Sequence, residues 1–392
     1  MQTNNKKILF FSTIEEDWGG SEELWAASIP YLQLNNMEVI VLKKRINRNH
    51  PKFVELYNWN VTLVDLEMKS EKIRILKRVL MKLLRVINSL RISIENQSLE
   101  TDFIKKIKSI NADIVIVAQG INFDGLEYAH QLYTFKIPFA VISQKAVEFY
   151  WPHKFVRPFM KIAINNALKL FFISQHNLKL TEEQFGMKID NSQVIQNPIK
   201  TKGKLIPNPS QETEIRLACI GRLFLIDKGQ DILIRILSLD KWKSRPIKIS
   251  FIGTGIDEIA LKELATLLGV KNISFEGHVT NIEDIWTNHH ALILPSRSEG
   301  MSLAMLEAMA IGRTVIVTDA GGSSELITDG ENGFIGQANF ESFDQTMERA
   351  WALREQWNVI GKKALFLIEN KYRELPGEVL GKEIIKLINT NS

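Results

Sequence analysis

Residues 291–327 read ALILPSRSEGMSLAMLEAMAIGRTVIVTDAGGSSELI. An apolar run at 291–294 has the character of a buried strand and ends at Pro295; a polar loop follows. A helical pattern opens close to Ser302, with Leu303, Leu306 and Ala310 on one face, and Gly312 closes it before a second apolar run at 314–317. Backbone N–H groups at Gly300, Met301, Ser302 and Leu303 then stand at a helix N-terminus, whose positive dipole end suits a phosphate. Glu299 precedes the helix and Glu307 lies within it, so one carboxylate can face the reacting end of a ligand while the other reaches a hydroxyl further along it. The same residues also describe an ordinary strand-loop-helix unit with two solvated glutamates, and the local pattern leaves both readings open.

Outward from this segment the rhythm repeats. Short apolar runs alternate with longer stretches of helical period, as a parallel sheet with helical crossovers requires. In the first half the runs fall at 7–11, 38–42, 114–118, 138–143, 170–173 and 193–195; in the second, at 215–220, 247–252, 273–276, 291–294, 314–317 and 333–335. At 392 residues the chain exceeds what one core usually holds, and the polar stretch 197–214, with Pro198, Pro207 and Pro209, makes a joint. The expected architecture is α/β: two doubly wound Rossmann-like domains facing a central cleft, divided as 1–199 and 200–370, with 371–392 as a terminal helix. Ligand would bind in that cleft, near the carboxyl ends of the strands.

Composition narrows the function. An apolar content of 45% with 24% charged residues is that of a folded protein, and a net charge of +4 is too small for a dedicated nucleic-acid binder. The single cysteine, Cys219, sits in an apolar run, which rules out an intramolecular disulfide or a cysteine-based metal site and fits a reducing, cytoplasmic compartment. No stretch approaches the roughly 20 apolar residues needed to span a bilayer. Basic residues cluster at 69–91, where Ile73, Leu76, Leu80, Leu83, Ile87 and Leu90 recur at helical spacing opposite Arg74, Lys77, Arg78, Lys82 and Arg85. That helix would either contact an anionic membrane surface peripherally, placing the protein at the inner face, or pack its stripe on its own domain.

Two further segments carry chemistry. In IGRLFLIDKGQDILI, residues 220–234, Arg222 and Lys228 follow an apolar run and could neutralise a diphosphate leaving group as it forms, although either alone would read as a surface cation beside a helix start. After the first run, Gly19 and Gly20 let the backbone approach a ligand closely, or make a plain flexible turn.

These motifs together resemble family-4 retaining glycosyltransferases of the group 1 type, whose fold is GT-B. The spacing of Glu299 and Glu307 in the run EGMSLAMLEAMA, with Gly321, Gly322 and Glu325 after it, is similar to that family's E-x7-E signature. The resemblance implies that Glu299 contacts the donor sugar, Glu307 the ribose, the intervening amides the sugar or phosphates, and Arg222 and Lys228 the diphosphate. It extends more weakly to Gly19 and Gly20 and to FIGTGID (251–257) and FEGHVT (275–280), which would pack around the base. The family often sends its last helix back onto the first domain, a role for 375–390. No Asp-x-Asp motif occurs, so neither metal nor cofactor is expected. The chain departs from the family after the run at 138–143, where a histidine is common and Ser143, Gln144 and Lys145 stand instead. Gln144 can hydrogen-bond a sugar hydroxyl on the acceptor side but cannot act as a base. His153, beside aromatics, reads as structural.

The resulting expectation is transfer of a hexose from a UDP- or GDP-linked donor to a glycan, lipid-linked or other acceptor. A GT-B nucleotide-sugar epimerase and a non-catalytic nucleotide-sugar-binding protein are the rivals. A dinucleotide oxidoreductase is disfavoured, because G-x-G-x-x-G is absent after the first run.

Overall fold

The computed structural model describes residues 5–66, 100–201, 206–209 and 214–391. The basic segment 69–91 lies outside the described residues.

Two wholly parallel sheets form the framework. The first contains β1 (Lys7–Ser12), β2 (Glu38–Lys43), β3 (Thr62–Asp65), β4 (Ile114–Ala118), β5 (Phe139–Ser143), β6 (Leu170–Phe172) and β7 (Ser192–Val194), in the order β3-β2-β1-β4-β5-β6-β7. The second contains β8 (Ile215–Ile220), β9 (Ile247–Ile252), β10 (Ile273–Gly277), β11 (Ala291–Leu294), β12 (Thr314–Thr318) and β13 (Phe334–Gly336), in the order β10-β9-β8-β11-β12-β13. The central strands β4, β5, β11 and β12 are buried at every position. Helices covering both faces of a parallel sheet impose this, and it is why these strands read as unbroken apolar runs. The predicted strands are all present. The strand that periodicity overlooked is β3, a four-residue edge with no fully buried position.

Each sheet reverses its strand order once, between β1 and β4 in the first and between β8 and β11 in the second. Loops leaving neighbouring strands on opposite sides of such a reversal diverge and open a crevice at the carboxyl end. The loops after β1, β8 and β11, with the one after β5, are the ones that carry the candidate site.

The last helix, Pro376–Asn391, lies along the helix Glu23–Leu34 of the first domain. Two glycines permit the approach: a methyl group at Gly377 would lie 2.2 Å from the Ala27 carbonyl oxygen, and one at Gly381 would lie 2.7 Å from the Tyr31 ring. Among the described residues no helix is long and apolar enough to cross a membrane.

Candidate active site

The second domain supplies a cation and a carboxylate from the two strands flanking its reversal. Lys228 ends a short helix after β8, and Glu299 stands in the loop after β11; Lys228 Nζ donates to Glu299 Oε1 at 2.6 Å. Ser296 Oγ donates to the same oxygen at 2.8 Å. Close backbone packing sets this geometry. Gly229, in the left-handed region at φ +60°, touches the Pro295 carbonyl so tightly that a methyl group would lie 2.2 Å from its oxygen. Gly321, at φ +59°, would place a methyl 2.3 Å from the Glu299 carbonyl oxygen, and Gly322 N–H donates to the Gly300 carbonyl at 2.8 Å. The paired glycines after β12 therefore brace the loop that holds Glu299.

The helix Leu303–Ala310 begins next to Glu299, capped by Ser302, whose Oγ accepts from Met305 N–H at 3.4 Å. Met301 is buried, and its carbonyl accepts from Asn197 Nδ2 at 3.4 Å. Glu307 is 7% exposed on the same helix, and its carbonyl accepts from Thr201 Oγ1 at 2.8 Å. Arg222 points elsewhere than at Glu299. Its Nη1 donates across the cleft to Glu16 Oε1 at 2.7 Å, and its Nη2 lies 3.8 Å from Asp227 Oδ2.

The first domain meets this surface with the loops after β1 and β5. Gly20 abuts Leu303, since a methyl group there would lie 2.9 Å from Leu303 Cδ1. Gly19 N–H donates to Glu22 Oε2 at 2.7 Å, and Ser12 Oγ donates to Glu22 Oε1 at 3.0 Å. Glu22 pairs with Lys43, and both side chains are fully buried. Lys43 Nζ also donates to the carbonyls of Glu16, at 3.0 Å, and Asp17, at 3.2 Å. Burial pushes the Glu22 carboxyl above its ordinary range, against the opposing pull of Lys43. This pair shapes the whole glycine loop. The available signal was a lysine ending the strand EVIVLK directly after four apolar residues, which sequence reasoning passed over.

After β5, the Gln144 carbonyl touches Gly300 so closely that a methyl group on Gly300 would lie 1.9 Å from it. Gln144 itself is 3% exposed, and its Nε2 has no hydrogen-bond partner among the described residues. Lys145 Nζ bonds Asp227 Oδ1 across the domains at 2.9 Å in a largely buried pair. His176 adds a third bridge: its N–H donates to Glu325 Oε1 at 2.8 Å, and its ring pairs with Glu148 at 3.0 Å. The Glu148 carboxylate raises the histidine's pKa and is itself lowered by the bond. His153 is exposed and lies against Phe155, with ring centroids 5.2 Å apart.

A carboxyl that the sequence did not single out stands in the loop after β4. Burial pushes Asp124 up to about 6; a bond from Ile121 N–H opposes the shift, and the charges of Glu16 and Glu15 add to it. No local motif marks it, because the cause is tertiary. Burial likewise pushes the Cys219 thiol up to about 12. Among the described residues, no three His, Cys, Asp or Glu side chains are grouped to hold a metal ion.

The family described as "Glycosyl transferases group 1" matches residues 214–352. The chain is 25% identical over 246 residues to an uncharacterized glycosyltransferase of Haemophilus influenzae, a match spanning 59% of this chain and 65% of that one. It is 24% identical over 239 residues to the capsular polysaccharide biosynthesis glycosyltransferase CapM of Staphylococcus aureus, spanning 58% and 61%. These matches cover less than two thirds of either relative. The crystal structure of Anabaena Alr3699/HepE in complex with UDP and glucose has a TM-score of 0.72 at 16% identity, over 98% of this chain and all of that one. WaaG, a glycosyltransferase involved in lipopolysaccharide biosynthesis, has 0.69 at 15% identity, over 96% and 99%. Two parallel sheets, a reversal point in each and these matches lead to one assignment: the chain has the GT-B fold, and its residues 214–352 match the group 1 glycosyl transferases.

Proposed function

We propose that this protein is a retaining glycosyltransferase of family-4 type, moving a hexose from a UDP- or GDP-linked donor to a glycan or lipid-linked acceptor without a metal. The observation that carries the reading is the 2.6 Å Lys228–Glu299 pair, set between the two strands of the reversal point and beside the helix N-terminus at Ser302. Residues 200–370 would bind the donor and 1–199 the acceptor. Lys228 and Arg222 would stabilise the negative charge that develops on the diphosphate, the work a divalent ion does elsewhere. Glu299 would hold the donor sugar, and Glu307 the ribose. As the bond from the anomeric carbon to the phosphate oxygen breaks, the acceptor hydroxyl would attack the same face and pass its proton to the departing oxygen. Gln144 would orient the acceptor.

The solved structures of HepE with UDP-glucose and of TarM with UDP favour a uridine donor as the first to test. The part that CapM plays in capsular polysaccharide biosynthesis favours a saccharide acceptor. A lipid-linked acceptor would place the protein at the inner membrane face, with 69–91 as one contact.

A thermal-shift screen of nucleotide diphosphates and their sugars, followed by turnover of the best donor with and without EDTA, tests the reading. The matched donor at one hundred times its dissociation constant should stabilise the fold by about 2.7 kcal/mol. Activity should survive EDTA, and the product should keep the donor's anomeric configuration by NMR. Loss of activity with rescue by magnesium or manganese would overturn metal independence. An epimer formed from donor alone would overturn transfer, and binding without any turnover would leave a non-catalytic module.

A further inference from the structure

The loop that leaves the cleft after Gln144 and Lys145 exposes four aromatic rings: Phe149 at 64%, Tyr150 at 50%, Trp151 at 58% and Phe155 at 70%. Rings of this size normally supply core, and a contiguous exposed group of them marks an interaction surface. The loop is held in place from behind. Buried Gln184 donates through Nε2 to the carbonyls of Val147, at 2.8 Å, and Tyr150, at 2.9 Å, and the Tyr150 ring packs on Phe123 at 5.5 Å. The exposure therefore belongs to a braced loop.

Charge indicates the partner. Residues 149–181 contain five Lys or Arg and no Asp or Glu. Lys154 sits in the midst of the rings, its Nζ 5.0 Å from the centre of Phe155, and Lys161 follows on the next helix. Glu148, at the start of the loop, is paired with His176. The Trp151 indole N–H is bonded to the Glu148 carbonyl at 3.0 Å, leaving the ring to present carbon. A saccharide platform would need hydrogen-bonding amides and carboxylates beside its rings; residues 149–155 supply neither, and the neighbouring Glu148 carboxylate is engaged by His176. Aromatic rings interleaved with cations are what the interfacial zone of an anionic bilayer accommodates, with rings at headgroup depth and cations near lipid phosphates.

We propose that the 149–155 loop is a membrane-docking surface that inserts its aromatic rings into the interface of an anionic bilayer and so sets the mouth of the cleft against the lipid. It is separate from segment 69–91, and it stands whether or not the transferase reading does, because docking requires no donor.

The test is co-sedimentation of the full chain with phosphatidylcholine vesicles and with vesicles containing phosphatidylglycerol. It compares the native protein with a Phe149→Ser, Tyr150→Ser, Trp151→Ser, Phe155→Ser variant and with a variant of 69–91 in which Arg74, Lys77, Arg78, Lys82 and Arg85 become Gln. The native protein should pellet with the anionic vesicles, and the aromatic variant should partition about tenfold more weakly or worse, because apolar insertion and charge act together in interfacial binding. Brominated lipid should quench part of the native tryptophan fluorescence, and Trp151→Phe should remove that part while leaving partitioning largely intact. Turnover or UDP-induced thermal shift, read on the same variants, reports separately on the donor site. The proposal is overturned if the native protein stays in the supernatant, if the aromatic variant pellets as well as the native protein, or if bromolipid quenching is the same with and without Trp151. It is equally overturned if the aromatic substitutions raise KM for a water-soluble saccharide acceptor and leave vesicle binding unchanged, which would make the loop a glycan platform.

Discussion

The Glu299 carboxylate accepts from both Lys228 and Ser296, which fixes its direction. Glu307, 7% exposed on the helix, can offer little more than an oxygen edge. Their roles should therefore separate. Glu299→Gln is expected to lower kcat about 100-fold or more while changing donor Kd little, the pattern of a group acting mainly in the transition state. Glu307→Gln should raise donor Kd and leave kcat nearly intact. Single-turnover kinetics with calorimetric donor titration reads both, and equal effects on both parameters in both variants would refute the division. Asp124 offers a second prediction. Its carboxyl, ordinarily near 3.8, sits at about 6 in the fold, so the protonated form is favoured by folding. That stabilisation is complete below the ordinary value and is lost as pH rises through about 6. At pH 7.5 the ionised group weakens the fold by about 1 to 2 kcal/mol, after allowance for solvent screening of a half-buried group. Asp124→Asn should therefore raise Tm at pH 7.5, with the advantage shrinking toward pH 4. A Tm gain that is the same at both pH values would show that ionisation is not its source.

At the scale of elements, the Lys43–Glu22 pair joins the end of β2 to the loop after β1. Through it, three backbone groups of that loop are held: the carbonyls of Glu16 and Asp17 and the N–H of Gly19. Replacing one partner leaves the other buried and unpaired. Lys43→Met should cost about 3 to 5 kcal/mol in chemical denaturation, whereas Lys43→Met with Glu22→Met should recover most of it, because two apolar side chains need no compensation. The recovered fold would still lack the donors and acceptor that shape the loop. Its kcat/KM should stay depressed, since the glycine loop against Leu303 would no longer be positioned. A double variant as active as the native protein would show that the pair serves stability alone. A related clamp holds the domain connection: buried Arg313 donates to the carbonyls of Pro207 at 2.6 Å, Trp286 at 2.8 Å, and Ile206 and His289 at 3.3 Å. Burial pushes its guanidinium down to about 10.

For the whole molecule, the decisive contacts are those between domains: Gln144 on Gly300, Lys145 with Asp227, His176 with Glu325, and the last helix on Glu23–Leu34. A methyl group at residue 300 would collide with backbone of the opposite domain, which has no rotamer to relieve it. Gly300→Ala should thus shift one domain against the other by a fraction of a residue and cut kcat/KM about 100-fold, the scale expected for a 1 Å misplacement, with an unchanged far-UV spectrum. Near-native turnover would mean that the cleft tolerates the displacement. The strands were legible in sequence because helices on both faces of a parallel sheet require unbroken apolar runs, and those runs are local. The placement of Glu299, Arg222, Lys228 and the glycines at strand ends and helix starts was legible for a related reason: strand, loop and helix are consecutive in the chain. β3 was not, since an edge strand half open to solvent needs no apolar run. Nor were the Lys43–Glu22 pair, the raised Asp124 and the seat of Gln144 on Gly300. A lysine ending one strand and a glutamate 21 residues earlier become a pair only when β1 and β2 lie side by side. A carboxyl changes its pKa only when the fold removes its water, and a glycine must remain a glycine only where another domain's backbone presses on it. Those properties belong to distances through space, and only the tertiary structure decides them.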